Sequence, residues 1–252
     1  MKKIILDAAK TILPRGFRSW LVGKQRAHRL QWHRAGTIDF GQLRRLTPIS
    51  PIFGLDRGVP VDRYYIEAFL DQNKTEIRGR VLELGDASYT RKFGGDRVSQ
   101  SDVLHVAPGN PQATIVADLA NAGHIPSDLF DCIIFTQSLQ MIYEFKAALR
   151  TLFRILRPGG HLLLTTHGIS RIGRRLGRDD WGEYWRFTTQ SASALMAETF
   201  PGAGVEVQSR GNVLSATAFL HGLAAEELTS TELDYRDPDF EVVISVKARK
   251  PG

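Results

Sequence analysis

Cysteine is nearly absent from this 252-residue chain, Cys132 being the only one. A lone thiol excludes an internal disulfide and any zinc site built from several thiolates, and it fits a reducing cytoplasm. Cys132 stands inside an apolar run, which reads as a buried structural thiol rather than a nucleophile. Long apolar runs are missing too: none approaches the ~20 residues that cross a bilayer. The apolar stretch after Lys2 and Lys3 is interrupted by Asp7 and Lys10 and stopped by Pro14, and no small-residue cleavage site follows. That argues against a secretory leader. There are no internal repeats and no low-complexity segments. What is left is an ordinary globular composition, 42% hydrophobic and 24% charged. Its length suits one α/β domain with extra elements, or a domain and an arm.

The net charge of +6 is unevenly spread. Residues 1–50 hold 11 Lys and Arg against 2 Asp and Glu, a net of +9, and the remainder holds 22 against 25, a net of −3. The basic character belongs to an amino-terminal arm. Ile4, Ile5, Ala8, Ala9, Ile12 and Leu13 recur at helical spacing up to Pro14, and Phe17, Trp20 and Leu21 form a second stripe among arginines and lysines. Two readings compete. One is an interfacial helix lying on anionic lipid, which makes residues 1–34 a peripheral contact at the inner face of the membrane. The other is a helix docked on the body with its arginines solvated. A nucleic-acid arm ranks third, so nucleic acid is not an expected partner.

The organisation predicted from here is a basic helical arm over 1–50, a linker with a helix covering the ligand site over 51–78, and an α/β domain over 79–252. Pro51, Gly54, Gly58 and Pro60 mark the linker. Val61 to Asn73 reads as a helix with Asp62 as N-cap and Tyr65, Ile66, Phe69 and Leu70 on one face. Strands are expected near 80–85, 98–106, 113–117, 131–136, 161–166, 204–209 and 240–248. Helices are expected over Met141–Leu156, ended by Pro158-Gly159-Gly160, and over Val213–Leu223. This is a doubly wound, mostly parallel α/β sheet of the Rossmann-like kind, which holds a nucleotide-type ligand across its strand ends.

Acids stand at three successive strands: Glu83, Asp102 and Asp118. Asp102 lies 19 residues beyond Glu83, near the spacing at which a carboxylate takes both hydroxyls of a ribose. If Val103-Leu104-His105-Val106 forms the strand instead, Asp102 sits at its wrong end. Asp118 ends the third strand, within reach of an adenine amino group. The loop after the first strand, Gly85-Asp86-Ala87-Ser88-Tyr89, lacks the further glycines a pyrophosphate requires, and Asp86 would repel one. A ligand with a cationic amino group and a sulfonium tolerates these acids, and S-adenosylmethionine has both. No metal site is expected.

These residues resemble a family. Val81-Leu82-Glu83-Leu84-Gly85, the acid at 102, Ala117-Asp118-Leu119, Phe130-Asp131-Cys132-Ile133-Ile134 and Leu156-Arg157-Pro158-Gly159-Gly160-His161-Leu162-Leu163-Leu164 look like class I S-adenosylmethionine-dependent methyltransferases. The nearest branch is the type 11 small-molecule group. Gly54 to Tyr65 and Tyr89 to Arg97 are also similar to methyltransferases of bacterial surface-polysaccharide gene clusters. The resemblance covers roughly 79–200 and departs at the glycine loop, where Gly-x-Gly-x-Gly has become Gly85-Asp86-Ala87-Ser88-Tyr89. It implies a seven-stranded sheet with an antiparallel last strand. It also implies cofactor binding by Glu83, Gly85, Asp86, Asp102, Asp118, Leu119, Thr136 and Gln137, with Gln140 in the acceptor pocket.

Methyl transfer to a hydroxyl of a small molecule or glycan calls for in-line alignment, exclusion of water and a base. His167, just past the fifth strand, is the preferred base. His161, His28, His33 and His221 are placed less well, and His105 and His124 fall nearer the cofactor. Arg171 to Phe187 mixes cations and aromatics, and Arg171, Tyr184, Trp185 and Arg186 are candidates for gripping an anionic or glycosyl acceptor. The plainer reading is a solvated basic loop with Trp185 and Phe187 packed inward. DNA amino methylation would want an Asn/Asp-Pro-Pro-aromatic turn where Thr136-Gln137-Ser138-Leu139 stands, and no proline precedes Cys132 for carbon-5 chemistry. A non-catalytic scaffold and an RNA methyltransferase are the remaining alternatives.

Overall fold

The computed structural model describes residues 14–17, 19, 20, 24, 36–173 and 182–252, in a chain that divides into two units, Met1–Leu46 and Thr47–Gly252. In the first unit the exposed rings of Phe17 and Trp20 stack at 5.4 Å, and the Lys24 ammonium lies 4.9 Å from the Trp20 ring centre. The helix expected over Ile4 to Leu13 lies outside the described residues.

The second unit is built on a seven-stranded sheet. Its strands are β1 (Gly79–Leu84), β2 (Val98–His105), β3 (Ile115–Val116), β4 (Phe130–Thr136), β5 (Leu156–His167), β6 (Gly204–Arg210) and β7 (Val243–Arg249). In space they run β3-β2-β1-β4-β5-β7-β6. Strands β1 to β5 are mutually parallel, and β7 lies antiparallel between β5 and β6. The expected sheet, with its antiparallel last strand, is the one present.

Alternation along the strands builds two cores. Leu82, Ile133, Phe135, Leu162 and Leu164 face helices α2 (Phe145–Ile155) and α3 (Thr189–Thr199). Val81, Cys132, Ile134 and Leu163 face the opposite way, toward α1 (Val61–Gln72) and α4 (Val213–His221). A parallel strand covered on both faces has no polar side, which is why β4 reads as a nearly continuous apolar run. Each fully buried Leu, Ile or Phe contributes roughly 1.5–3 kcal/mol. Cys132 is fully buried, and burial drives its thiol far above the usual range, so it is inert packing.

Local signals set most of the helix ends. Ala148, Leu149, Leu152 and Ile155 give α2 its buried stripe. Asn212 caps α4 by accepting the Leu214 and Ser215 N–H groups at 3.0 Å each, and left-handed Gly222 ends it. The N-cap expectation for Asp62 is corrected. The helix starts at Val61 behind Pro60, and Asp62 lies in its first turn, accepting the N–H of Arg63 at 2.8 Å. The fifth strand begins at Leu156 rather than 161, because a register shift opposite Phe130–Cys132 lets Pro158-Gly159-Gly160 pass within it.

The β1–β2 crossover is compressed to a π-helical turn, Thr90–Gly94, and a 3-10 turn, Gly95–Arg97. A Cβ at Gly94 would stand 2.4 Å from a methyl of Val98, so only glycine lets this turn lie against the start of β2.

Candidate active site at the sheet switch point

The strand order reverses direction between β1 and β4, and in open α/β sheets ligands bind outside the carboxyl ends at such a point. A cavity of about 430 Å³ lies there. Thr136 and Gln137 line it from the end of β4, and Glu83 to Lys92 supply six lining residues from β1 and its crossover. Asp62, Arg63, Ile66 and Glu67 come from α1, with Phe53, Leu55 and Pro60 from the preceding loop. Gly85 turns the chain out of β1 with φ +83°, and no atom lies within 4 Å of where its Cβ would be.

Four carboxylates and two cations line this cavity. Lys92 pairs with Glu67 at 2.6 Å. Glu83 is fully engaged, accepting from the Tyr89 N–H at 3.1 Å and from the Thr90 N–H and hydroxyl at 2.7 Å each. Burial raises its pKa against the pull of the Thr90 hydrogen bonds. Asp86 Oδ1 accepts the Ser88 N–H at 2.7 Å. Burial pushes Asp62 up to about 6 and the Tyr89 phenol up to about 12, so the phenol remains a donor through neutral pH.

Gln137 adopts φ +48°, a conformation that costs a non-glycine residue about 1 kcal/mol or more. Its backbone N–H donates to Thr165 O at 2.8 Å, and its Nε2 is buried with no partner among the described residues. An unpaired buried amide beside a cavity is a donor that a ligand or a water there can satisfy. Asn110 Nδ2 donates to Gly85 O at 2.5 Å, tying the β2–β3 loop to the turn after β1.

Of the residues expected at the cofactor, Glu83, Asp86, Thr136 and Gln137 meet around this cavity, with Gly85 between them. Asp102 does not join them, a correction with a simple cause. It lies in β2 opposite Leu82, three residues before the strand ends, on the face opposite Glu83. There it is buried and accepts from Arg80 Nε at 2.7 Å, Thr114 Oγ1 at 3.1 Å and Gln100 Nε2 at 3.2 Å. Exposed Val106 follows the end of β2 instead. Asp118 is exposed and caps the turn Leu119–Asn121, accepting the Ala120 N–H at 2.9 Å, while Leu119 is buried in the core. Neither lines the cavity.

His167 is also displaced from its expected role. It is 8% exposed, its ring lies 5.9 Å from that of Phe219, and it does not line the cavity. Burial, reinforced by Arg186, lowers it to about 3, which leaves a neutral ring of little basicity. Gln140 is buried and spent on structure, donating to Gln137 O at 2.9 Å and accepting from Thr166 Oγ1 at 2.9 Å. Its carbonyl accepts the N–H groups of Tyr184 and Trp185.

In the segment expected to grip the acceptor, residues 174–181 lie outside the described residues. Arg171 stacks 4.3 Å from the centre of the Phe53 ring and donates to Pro51 O at 2.7 Å. Trp185 packs on Phe145 and donates to Ile142 O and Tyr143 O, both at 3.2 Å. Arg186 pairs with Glu183 and donates to Arg171 O, and half-exposed Tyr184 meets Tyr143 edge to face. None of the four lines the cavity. Sequence reasoning missed Asp62, Arg63, Glu67, Tyr89 and Lys92 as site residues. The available signal was the i, i+1, i+4, i+5 set Asp62, Arg63, Ile66 and Glu67 on one side of a helix already expected to cover the site. Among the described residues no group of three or more His, Cys, Asp or Glu side chains is placed to hold a metal ion, and no helix is long and apolar enough to cross a membrane.

A family model described as a methyltransferase domain matches residues 61–203, more than half of the chain. The chain belongs to the methyltransferase domain family. Its sheet is that of the class I, S-adenosylmethionine-dependent members. The ubiquinone/menaquinone biosynthesis C-methyltransferase UbiE of Yersinia pestis bv. Antiqua (strain Antiqua) is 44% identical over 125 residues, covering 40% of this chain and 49% of that protein. UbiE of Enterobacter sp. (strain 638) is 30% identical over 90 residues, covering 29% and 35%. The matches thus span about half or less of these relatives. Among solved structures, an S-adenosylmethionine-dependent methyltransferase from Mesorhizobium loti is 22% identical, with a TM-score of 0.49, covering 78% of this chain and 100% of that one. The N-methyltransferase NodS from Bradyrhizobium japonicum WM9, in complex with S-adenosyl-L-homocysteine, is 15% identical with a TM-score of 0.49, covering 81% and 95%.

Proposed function

We propose that this chain transfers a methyl group from S-adenosylmethionine to a hydroxyl of a small molecule or glycan. The observation that carries the cofactor assignment is the acid-lined cavity at the β1–β4 switch point, open at Gly85 and edged by the unpaired amide of Gln137. Carboxylates suit a cationic amino acid end, and Arg63 suits its carboxylate. S-adenosylmethionine, when bound, supplies a methyl group made electrophilic by the sulfonium. The chain's own residues then orient the acceptor and exclude water. Gln137 Nε2 and the protonated Tyr89 phenol can donate to the acceptor, and Phe53 and Leu55 close the cavity with apolar surface. Among the described residues no histidine lines the cavity, so no imidazole base is at hand there.

The relatives are named for methylation at carbon and at nitrogen. The hydroxyl reading is supported here by the carboxylates that face the site. Incubating the protein with methyl-labelled S-adenosylmethionine and sugar, phenol, amine and quinol acceptors tests it. Label recovered as a base-stable methyl ether supports the reading, and label recovered on nitrogen or carbon refutes it. The exposed, stacked Phe17 and Trp20 support a peripheral contact of residues 1–34 with anionic lipid. Co-sedimentation with phosphatidylserine vesicles that survives deletion of that segment would sink the idea.

A further inference from the structure

The four cavity carboxylates are not equivalent, and the difference between them assigns the cofactor's amino group. Glu83, the acid that leads out of β1, has both oxygens occupied by the Tyr89 and Thr90 donors. It holds the turn that follows and has little left for a ligand. Glu67 is neutralised by Lys92. Asp62 and Asp86 differ from both. Each uses Oδ1 for a local N–H, of Arg63 at 2.8 Å and of Ser88 at 2.7 Å, and among the described residues no hydrogen bond from another residue reaches Oδ2 of either. Both line the same cavity, one from the first turn of α1 and one from the turn after β1.

We infer that Asp62 and Asp86 hold the cofactor's amino group between their free Oδ2 oxygens, Asp62 being the acid that the covering helix contributes. This rests on the cofactor reading above and adds the atoms that do the binding. An ammonium has three donors and no acceptor, so two carboxylate oxygens from separate elements satisfy it while tying α1 to the β1 turn.

The groups facing Asp62 are Arg63 and Glu67 on its own helix and Glu83, Asp86, Tyr89 and Lys92 across the cavity; the linings from β4 and from the loop before α1 are uncharged. Asp62 is held neutral in part near pH 6 by burial. A cation arriving beside it favours the ionised form, so binding at that pH expels a proton, about half an equivalent for a group near its midpoint. Affinity for the cation correspondingly rises as the pH is raised through 6.

Calorimetric titration of the full chain with two probes tests this: S-adenosylhomocysteine, and 5′-methylthioadenosine, which has the same nucleoside and thioether without the amino acid. For S-adenosylhomocysteine, Asp62→Asn and Asp86→Asn should each lower affinity about 10- to 100-fold, the worth of a charge-assisted hydrogen bond. Neither should change affinity for 5′-methylthioadenosine. In buffers of differing ionisation heat at pH 6, the wild type should release protons on binding S-adenosylhomocysteine and Asp62→Asn should not. Folded variants, checked by thermal melting, that bind S-adenosylhomocysteine like the wild type would overturn the clamp and leave the cofactor reading standing. Equal loss of both probes would overturn it too, by placing the effect on the nucleoside. A folded wild type that binds neither probe removes the cofactor reading and the clamp with it.

Discussion

Replacing Asp102 with alanine separates two roles a carboxylate at this place in a sheet can have. If it held ribose hydroxyls, its loss would weaken cofactor binding and leave the fold alone. The structure argues the reverse. Asp102 is 5% exposed and accepts from Arg80, Thr114 and Gln100, with the Arg80 guanidinium also 5.4 Å from the Phe130 ring centre. Removing one partner of a buried pair costs about 3–5 kcal/mol. The Arg80 side chain keeps 26% of its exposure, so water recovers part of that loss, and about 2–3 kcal/mol is the working figure. For a body of this size that lowers the melting temperature by roughly 5–10 °C. Urea melts followed by circular dichroism measure the cost, and calorimetry with S-adenosylhomocysteine at a temperature where the variant is folded measures binding. A variant as stable as the wild type that has lost S-adenosylhomocysteine would refute the placement of Asp102 on the far face.

Two further outcomes follow from geometry. His167 has a folded pKa of about 3, below the ~6.5 of an exposed imidazole, so the stability it contributes is complete above pH 6.5 and drains away as the pH falls toward 3. His167→Phe, packed against Phe219, should flatten that part of the acid denaturation curve, and the wild-type ring should show no NMR titration between pH 8 and 5. A Cβ at Gly168 would stand 2.1 Å from the backbone oxygen of Glu241, so Gly168→Ala should cost about 3 kcal/mol in thermal or urea unfolding. An unchanged melt would show that the link from β5 to the segment before β7 yields easily.

The sheet was legible because its central strands carry their own signal: Cys132 to Phe135 of β4 and Leu162 to Leu164 of β5 are apolar on both faces. Register was not legible in β2. Its first half, Val98 to Ser101, faces solvent and reads as polar, so the span expected near 98–106 agrees with β2 while the sequence leaves open which residue of it ends beside the ligand. A one-residue step along a strand changes the face, and that step separates Asp102 from the side on which Glu83 lies. His167 ends the right strand at the right end of the sheet, yet it shares a face with Thr165 and Leu163 and meets α4 rather than the cavity. Asp62 was hidden for another reason. Its position depends on how α1 docks, through the Tyr65 hydroxyl on Leu233 O at 2.9 Å and that of Tyr64 on Asp234 at 2.9 Å, and no local pattern encodes such a contact.

The division of the interior by the sheet has a practical bearing on how this protein can be altered. Among the described residues, the cavity takes four lining residues from α1 and none from α2 or α3, which lie across the sheet. Residues in the two layers share few partners, so their effects on stability should add. Substitutions that strengthen the α2–α3 layer, such as better helix formers at exposed positions, therefore offer a reserve of stability raised independently of ligand recognition. Changes in specificity that loosen α1 could draw on that reserve, and one side of the molecule could be diversified while the other is held fixed.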